Sequence, residues 1–337
     1  MRYLFFDIEC CDGKNICSFG YVATDSEFNV LKKEDIIINP EAEFRLSRGG
    51  SALSIKLAYD EEVFFKSKPF PFYYETIKDI LTEGDQIVCG HAVTNDANFL
   101  KNACARYQLP QLSYYFTDSQ KIYSQLGAKI SFSLEKISEN LKIEPQILHK
   151  SDDDAYLTML VVRKLCEILK MSLRELIDIC PSVKSSTQDG ITKKSNASSY
   201  RALKRLAKEL KTENGNMNGV KVAFSETLEK NDTIKTWAMI REVARRGGEY
   251  TNLADIANVF VKEKDVDCKR LRSAINGKAK IVDEIEFSKE LGFDFSSFVF
   301  ENVIPKRMTN KVGITLGEML KQQGIDLSAE FYNDSDE

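Results

Sequence analysis

The chain has 337 residues, 43% of them hydrophobic and 29% charged, with a formal net charge of −4. That balance allows a buried core and excludes a wholly disordered, collagen-like or single-helix chain. Eight cysteines without a CxxC pair and only two histidines argue against a zinc site or a disulfide framework, and point to reduced thiols in a cytoplasm. No apolar run approaches the roughly 18 residues that span a bilayer. The opening MRYLFFDIEC is broken by Asp7 and Glu9, unlike a signal peptide. A cytoplasmic location without a membrane partner is expected.

Taken in order, YLFFDIEC and ICSFGYVAT are β-rich runs separated by the turn-prone DGKN, and KEDIIINP is a third strand stopped by Pro40. PFYYETIKDILTEG has helical spacing and a glycine stop, and QIVCGHAV is a short buried strand. NDANFLKNACARYQL, SFSLEKISENLKI and DDDAYLTMLVVRKLCEILK read as helices, the first opened by Asn95 as N-cap. Three early strands followed by alternating helices and strands predict an α/β layered domain with a mixed sheet over residues 1–181.

Residues 182–198, rich in Ser, Thr and Lys, read as a linker, and SSYRALKRLAKELKT as a basic amphipathic helix. TENGNMNG reads as a second flexible joint, so that 182–218 forms a basic connector. Charge follows these boundaries. Residues 1–171 carry 20 Lys+Arg against 25 Asp+Glu, whereas 182–218 carry 8 against 3. A fresh β/α pattern runs over 219–292, followed by an extension and acidic tail over 293–337.

Chemistry concentrates in the first domain. Asp7 and Glu9 stand at i and i+2 on an apolar strand, so both project from one face. Two carboxylates there are costly to bury unless a cation neutralises them, and magnesium or manganese prefers such hard oxygen donors. Asp96 opens a helix after a short strand, and His149 and Asp154 flank the start of the apolar helix. Each feature alone has an ordinary explanation: an Asp at a helix start is commonly a cap, and a lone His is commonly structural.

In combination, FDIEC (5–9), GHAVTNDANFL (90–100) and HKSDDDA (149–155) resemble the three motifs of DEDDh 3′–5′ exonucleases, the DnaQ-like group with a ribonuclease-H-like fold. The resemblance implies that Asp7, Glu9, Asp96 and Asp154 hold two divalent ions, Mg2+ or Mn2+. It makes His149 the general base, and places Asp154 rather than Asp152 or Asp153 in the third motif. His91 is expected beside the chemistry, not in it. Cys10 stands where Thr or Ser is common, and Asn95 where an aromatic residue is usual.

Residues 219–292 resemble a BRCT domain, a small α/β module that binds phosphoproteins, DNA ends or protein partners. Its phosphate-binding positions would be Ser225, Gly248 and Lys269, although Phe287 replaces the usual Trp and the ETLE segment lacks the Gly that often follows the Ser. The expected function is metal-dependent 3′–5′ exonucleolysis in replication or repair, with nucleic acid bearing a free 3′ end as substrate, DNA before RNA. The BRCT-like module would tether the enzyme to DNA or a protein partner. The alternatives are an RNA-trimming exonuclease and a non-hydrolytic adaptor that binds nucleic acid or phosphoprotein.

Overall fold

The structure is a computed structural model that describes residues 1–45, 57–124, 126, 133–144, 149–179, 184–187, 207–264 and 266–295. Three long strands lead: β1 (Arg2–Cys10), β2 (Ile16–Asp25) and β3 (Val30–Ile37). Helices α1 (Glu61–Phe65) and α2 (Phe70–Thr82) precede β4 (Gln86–Gly90), and α3 (Thr94–Arg106) precedes β5 (Tyr115–Asp118). Helices α4 (Ser119–Ser124), α5 (Leu134–Asn140), α6 (Ser151–Leu169) and α7 (Leu173–Ile179) follow, then the two-residue β6 (Lys184–Ser185).

These strands form one mixed sheet in the order β3-β2-β1-β4-β5-β6, in which β1, β4 and β5 are parallel and the other neighbours antiparallel. Alternation along β1 sorts its side chains. Leu4, Phe6, Ile8 and Cys10 enter a cluster with Phe70, Tyr74, Ile77 and Leu81 of α2 and Leu100 of α3. The opposite face carries Tyr3, Phe5, Asp7 and Glu9.

Helix α6 packs against that opposite face, across β1 and β2. Gly20 makes the contact possible. A Cβ there would lie 2.0 Å from the Asp152 backbone nitrogen and 2.1 Å from the Ser151 carbonyl carbon. Gly20 is the cross-strand partner of Asp7, so the bare glycine sits directly beside the first carboxylate.

The expected early strands and the helices over residues 70–82, 94–106 and 151–169 are present, with two differences. Helix α3 begins at Thr94 with Val93 as its N-cap and no side-chain cap bond, so Asn95 is inside the first turn. The first sheet also continues beyond residue 181, because β6 pairs with β5 and Ser186 N–H donates to the Tyr114 carbonyl at 3.0 Å. Compositional bias toward Ser and Lys cannot reveal such an edge strand, since its pairing is made by backbone.

A second sheet holds β7 (Lys221–Phe224), β8 (Glu249–Tyr250), β9 (Val259–Lys262) and β10 (Lys280–Asp283), all parallel, in the order β10-β9-β7-β8. Its helices are α8 (Glu226–Asn231), α9 (Thr233–Arg245), α10 (Lys269–Asn276) and α11 (Glu284–Glu290). Both sheets lie within one unit, Met1–Phe298. The nearly buried Arg241 of α9 pairs with Glu175 of α7, and Arg246 Nη2 donates to the Leu291 carbonyl at 2.7 Å. Lys170 Nζ, at the end of α6, donates to that carbonyl at 3.2 Å and stands 4.7 Å from the centre of the Phe293 ring.

The expected joint around TENGNMNG is pinned to α9. Thr212 N–H donates to the Ala244 carbonyl at 3.2 Å and Met217 N–H to the Arg246 carbonyl at 2.8 Å. Most of the expected linker and basic helix, and residues 296–337, lie outside the described residues. No helix among the described residues is long and apolar enough to cross a membrane.

Replacing Gly20 with Ala forces the α6 backbone away from β2. We expect a stability loss of about 3 kcal/mol or more in urea denaturation. A loss within about 0.5 kcal/mol would show that the helix does not depend on this approach.

Candidate active site

The site forms where the C-terminal end of β1 meets the N-terminal turns of α3 and α6. Asp7 and Glu9 come from β1, Asp96 from the first turn of α3, and Asp154 from the first turn of α6. One ligand atom each from Glu9, His149 and Asp154 lies within 4.8 Å of the others. Asp7, Glu9, His91, Asn95, Asp96 and Phe99 line a cavity of about 300 Å³, together with Arg45 and Leu57 from the two sides of the 46–56 segment.

Negative charge is concentrated there, and among the described residues that line the cavity the one cation, Arg45, is paired with Glu43. Burial, and then the neighbouring Asp96, Asp154, Glu9 and Asp35, hold the Asp7 carboxyl well above the usual carboxylate range. Burial pushes Asp96 up to about 8, against the opposing hydrogen bonds from its own amide and that of Ile8. Burial with Asp154 and Asp35 nearby raises Glu9 to about 7. Burial also raises Asp154 to about 6, although the His149 amide donates to its Oδ2 at 3.0 Å. Four crowded carboxylates of hard oxygen donors fit divalent cations of the magnesium or manganese kind.

The triple-Asp segment is divided by its partners. Lys33 of β3 pairs with both Asp152 and Asp153, and Lys150 lies 2.8 Å from Asp152 Oδ1. Asp154 instead faces Glu9 and His149. The side chain of His149 is exposed at the rim, and its backbone takes the left-handed conformation at φ 64°. Its carbonyl accepts the Ala58 N–H at 3.0 Å, so both sides of this unusual backbone are bonded.

A buried polar clamp beneath α6 was not apparent from the motifs. The Tyr59 hydroxyl donates to Asp35 of β3 and accepts the Ser151 N–H at 3.2 Å. Ser18 Oγ donates to Asp35 Oδ1 at 2.6 Å, and Ser151 Oγ donates to the same oxygen at 3.1 Å. Lys150, the N-cap, makes no side-chain cap bond, so Tyr59 supplies from a distant segment what a local cap normally supplies. An acid in the otherwise apolar end of β3 was the one sequence signal for this clamp.

On the α3 side, Asp118 Oδ1 accepts the Ala92 N–H at 3.1 Å and the Gln120 N–H at 3.0 Å, which fixes the turn leading to Asp96. His91 Nδ1 is 3.0 Å from Ser119 Oγ, beside the carboxylates, as expected.

The three expected phosphate-binding positions of the second sheet do not converge on an open pocket. Ser225 is fully buried; its hydroxyl donates to Glu263 Oε2 at 2.6 Å and accepts the Leu228 N–H at 3.2 Å as the cap of α8. Lys269 is exposed, and the basic group reaching the end of β7 is Arg270, whose Nη1 donates to the Phe224 carbonyl at 3.1 Å and to Glu229 Oε2 at 2.8 Å. Gly248 has a steric role, since a Cβ there would lie 2.6 Å from Val243 Cγ1. A carboxylate already bonded to the serine opposes an incoming phosphate.

A family model described as DNA polymerase III subunit epsilon-like, C-terminal domain, matches residues 65–165, a span that holds Asp96, His149 and Asp154. No curated protein sequence matches the chain. Among solved structures, the nuclease domain of 3′hExo bound to rAMP, described as a DEDDh family member, is 16% identical, with 58% of this chain and 97% of that chain covered at a TM-score of 0.42. Exonuclease I of E. coli with a dA16 oligonucleotide is 19% identical at a TM-score of 0.42, covering 52% of this chain and 42% of that one. Exonuclease X with 5′-overhanging duplex DNA is 14% identical at a TM-score of 0.39, covering 52% and 97%.

Two outcomes are expected from this geometry. Carboxyls raised in the fold bind protons more tightly there than in the unfolded chain, so stability is fully present below the unfolded values near 4 and is lost as pH rises through about 6–8. In EDTA, chemical denaturation should show that fall; Mg2+ should restore stability more at pH 8 than at pH 5.5. An equal Mg2+ effect at both pH values would contradict it. Tyr59→Phe should cost about 1–3 kcal/mol by urea denaturation, because the Asp35 carboxylate and the Ser151 amide both lose a buried partner.

Proposed function

We propose that the chain is a metal-dependent 3′–5′ exonuclease that hydrolyses phosphodiester bonds from the 3′ end of DNA. The observation that carries this reading is that Asp7, Glu9 and Asp96 line one open cavity while Asp154 and His149 stand against Glu9. The family match over residues 65–165 supports it from a separate direction.

In this reading the four carboxylates hold two divalent cations. Bound there, the cations supply Lewis acidity for activating water and neutralise charge on the departing 3′ oxygen. His149 stands at the solvent rim, next to Glu9 and Asp154, where it takes the proton of the attacking water. The Asp154–His149 amide bond and the Ala58 contact hold its backbone in place. Phe99 and Asn95 on the cavity wall border the terminal nucleotide.

The exonuclease domain is assigned to residues 1–181 with β6 added, and the BRCT-like module to 219–292. Four short strands alternating with helices support that second assignment. Its role is to position the enzyme on DNA or on a protein partner during replication or repair. Since Ser225 is engaged by Glu263, this positioning works without a phosphate pocket at Ser225.

The test is degradation of 5′-labelled single-stranded DNA, duplex DNA and RNA with Mg2+ or Mn2+, beside Asp154→Asn. A ladder shortening from the 3′ end is expected, with DNA preferred and activity in the variant reduced by about 10³-fold or more. Folded protein that cleaves none of the three would favour the non-hydrolytic adaptor. Equal cleavage by the variant would sink the site assignment.

A further inference from the structure

We propose that a second cavity, beside the carboxylate site and between the β1–β2 turn and α3, holds a nucleotide on the 5′ side of the scissile bond, its phosphate on Lys14 and Arg106. The inference rests on the exonuclease reading and extends it to how the rest of the strand is gripped.

The two cavities share their walls. The carboxylate cavity is lined by Asp12 and Gly13 of the β1–β2 turn and by Asn95 and Phe99 of α3. The second, of about 210 Å³, is lined by the next two turn residues, Lys14 and Asn15, and by Asn102 and Arg106 further along the same helix. Asn95, Phe99, Asn102 and Arg106 follow one another at steps of four, three and four residues, which places them along one face of α3. At about 1.5 Å per residue, Asn102 stands about 10 Å beyond Asn95 along the helix axis. The same turn and the same helix face therefore lead from the carboxylates to the second cavity.

Charge changes sign along that path. The second cavity is lined by two cations and by no acid. Arg106 is fixed by neutral acceptors: Nη1 donates to Asn15 Oδ1 at 2.6 Å and to the Pro40 carbonyl at 2.8 Å, and Nη2 to the Glu41 carbonyl at 3.1 Å. The nearby carboxylates are engaged by other donors. Glu41 Oε2 accepts the Tyr107 hydroxyl at 2.8 Å, and Asp12 accepts the Lys14 and Asn15 backbone amides at 3.0 and 2.8 Å and the Asn15 side-chain amide at 2.7 Å. Among the described residues, no ion pair involves Lys14 or Arg106.

The rest of the lining is apolar, with Ile16, Pro40 and Ala103 beside the rings of Phe70 and Tyr107. Those rings stack with centres 6.2 Å apart, and the Arg106 guanidinium carbon lies 5.0 Å from the centre of the Tyr107 ring. A small inorganic anion would use the two cations and leave this surface empty. A nucleotide uses both, with its phosphate between Lys14 and Arg106 and its base or sugar on the apolar floor, the combination by which single strands are held without reading sequence.

The test uses the full chain with Lys14→Gln or Asn102→Lys, both at exposed positions. The substrates are a single-stranded DNA oligonucleotide and the p-nitrophenyl ester of thymidine 5′-monophosphate, which has the scissile phosphate and no second one. For Lys14→Gln, KM for the oligonucleotide should rise about 5-fold with kcat within about 2-fold, while kinetics on the mononucleotide ester stay unchanged. Oligonucleotide binding is read with Mg2+ in the Asp154→Asn background. The slope of log K against log salt should lose about 0.7 in magnitude in Lys14→Gln and gain about 0.7 in Asn102→Lys, one phosphate contact each on a single strand. Equal losses on both substrates, or an unchanged KM and salt slope in Lys14→Gln, would overturn the subsite. Asn102→Lys without tighter binding would overturn it too. If the wild-type protein cleaves neither substrate, the exonuclease reading fails by itself, and the salt slopes still decide the subsite. Protein that does not bind the oligonucleotide overturns both.

Discussion

A helix backbone resting on a bare glycine is the constraint from which the rest of the site follows. Gly20 lets the first turn of α6 come into van der Waals contact with β2, and its cross-strand partner is Asp7. Acids at the start of α6 are favoured by the helix dipole, and the contact delivers one of them, Asp154, to the carboxylates of β1. The clamp of Asp35, Tyr59, Ser18 and Ser151 then locks the same helix end against β3 and the segment after residue 56.

The electrostatics of the first domain follow from this crowding. Burial raises all four carboxyls, and their mutual repulsion raises Asp7 further, so the described residues leave a demand for positive charge at the site. Lysines are placed selectively. Lys33 and Lys150 neutralise Asp152 and Asp153, which leaves Asp154 to face Glu9 and His149.

The second sheet is joined to the first more firmly than a tether would be. Glu175 with Arg241, Lys170 over Phe293, and Arg246 on the Leu291 carbonyl tie α6 and α7 to α9 and the end of α11. The connector residues 212–217 are themselves bonded to the end of α9. Inside that sheet, Glu263 satisfies the buried Ser225, which turns a residue type suited to phosphate into a helix cap with a charged partner.

What the sequence determined by itself was local or repeated: the apolar alternation of β1, the helical spacing over residues 70–82, 94–106 and 151–169, and the three acidic motifs in order. Those signals depend on neighbours a few residues apart, so periodicity and motif spacing suffice to read them. The tertiary structure decided which of Asp152, Asp153 and Asp154 faces Glu9 and His149, because Lys33 lies about 120 residues away on another strand. It decided the clamp at Tyr59 and Asp35 and the pairing of β6 with β5. These are long-range pairings between polar groups or bare backbone, whose residue types are ordinary in sequence and acquire a role only when folding removes water from between them.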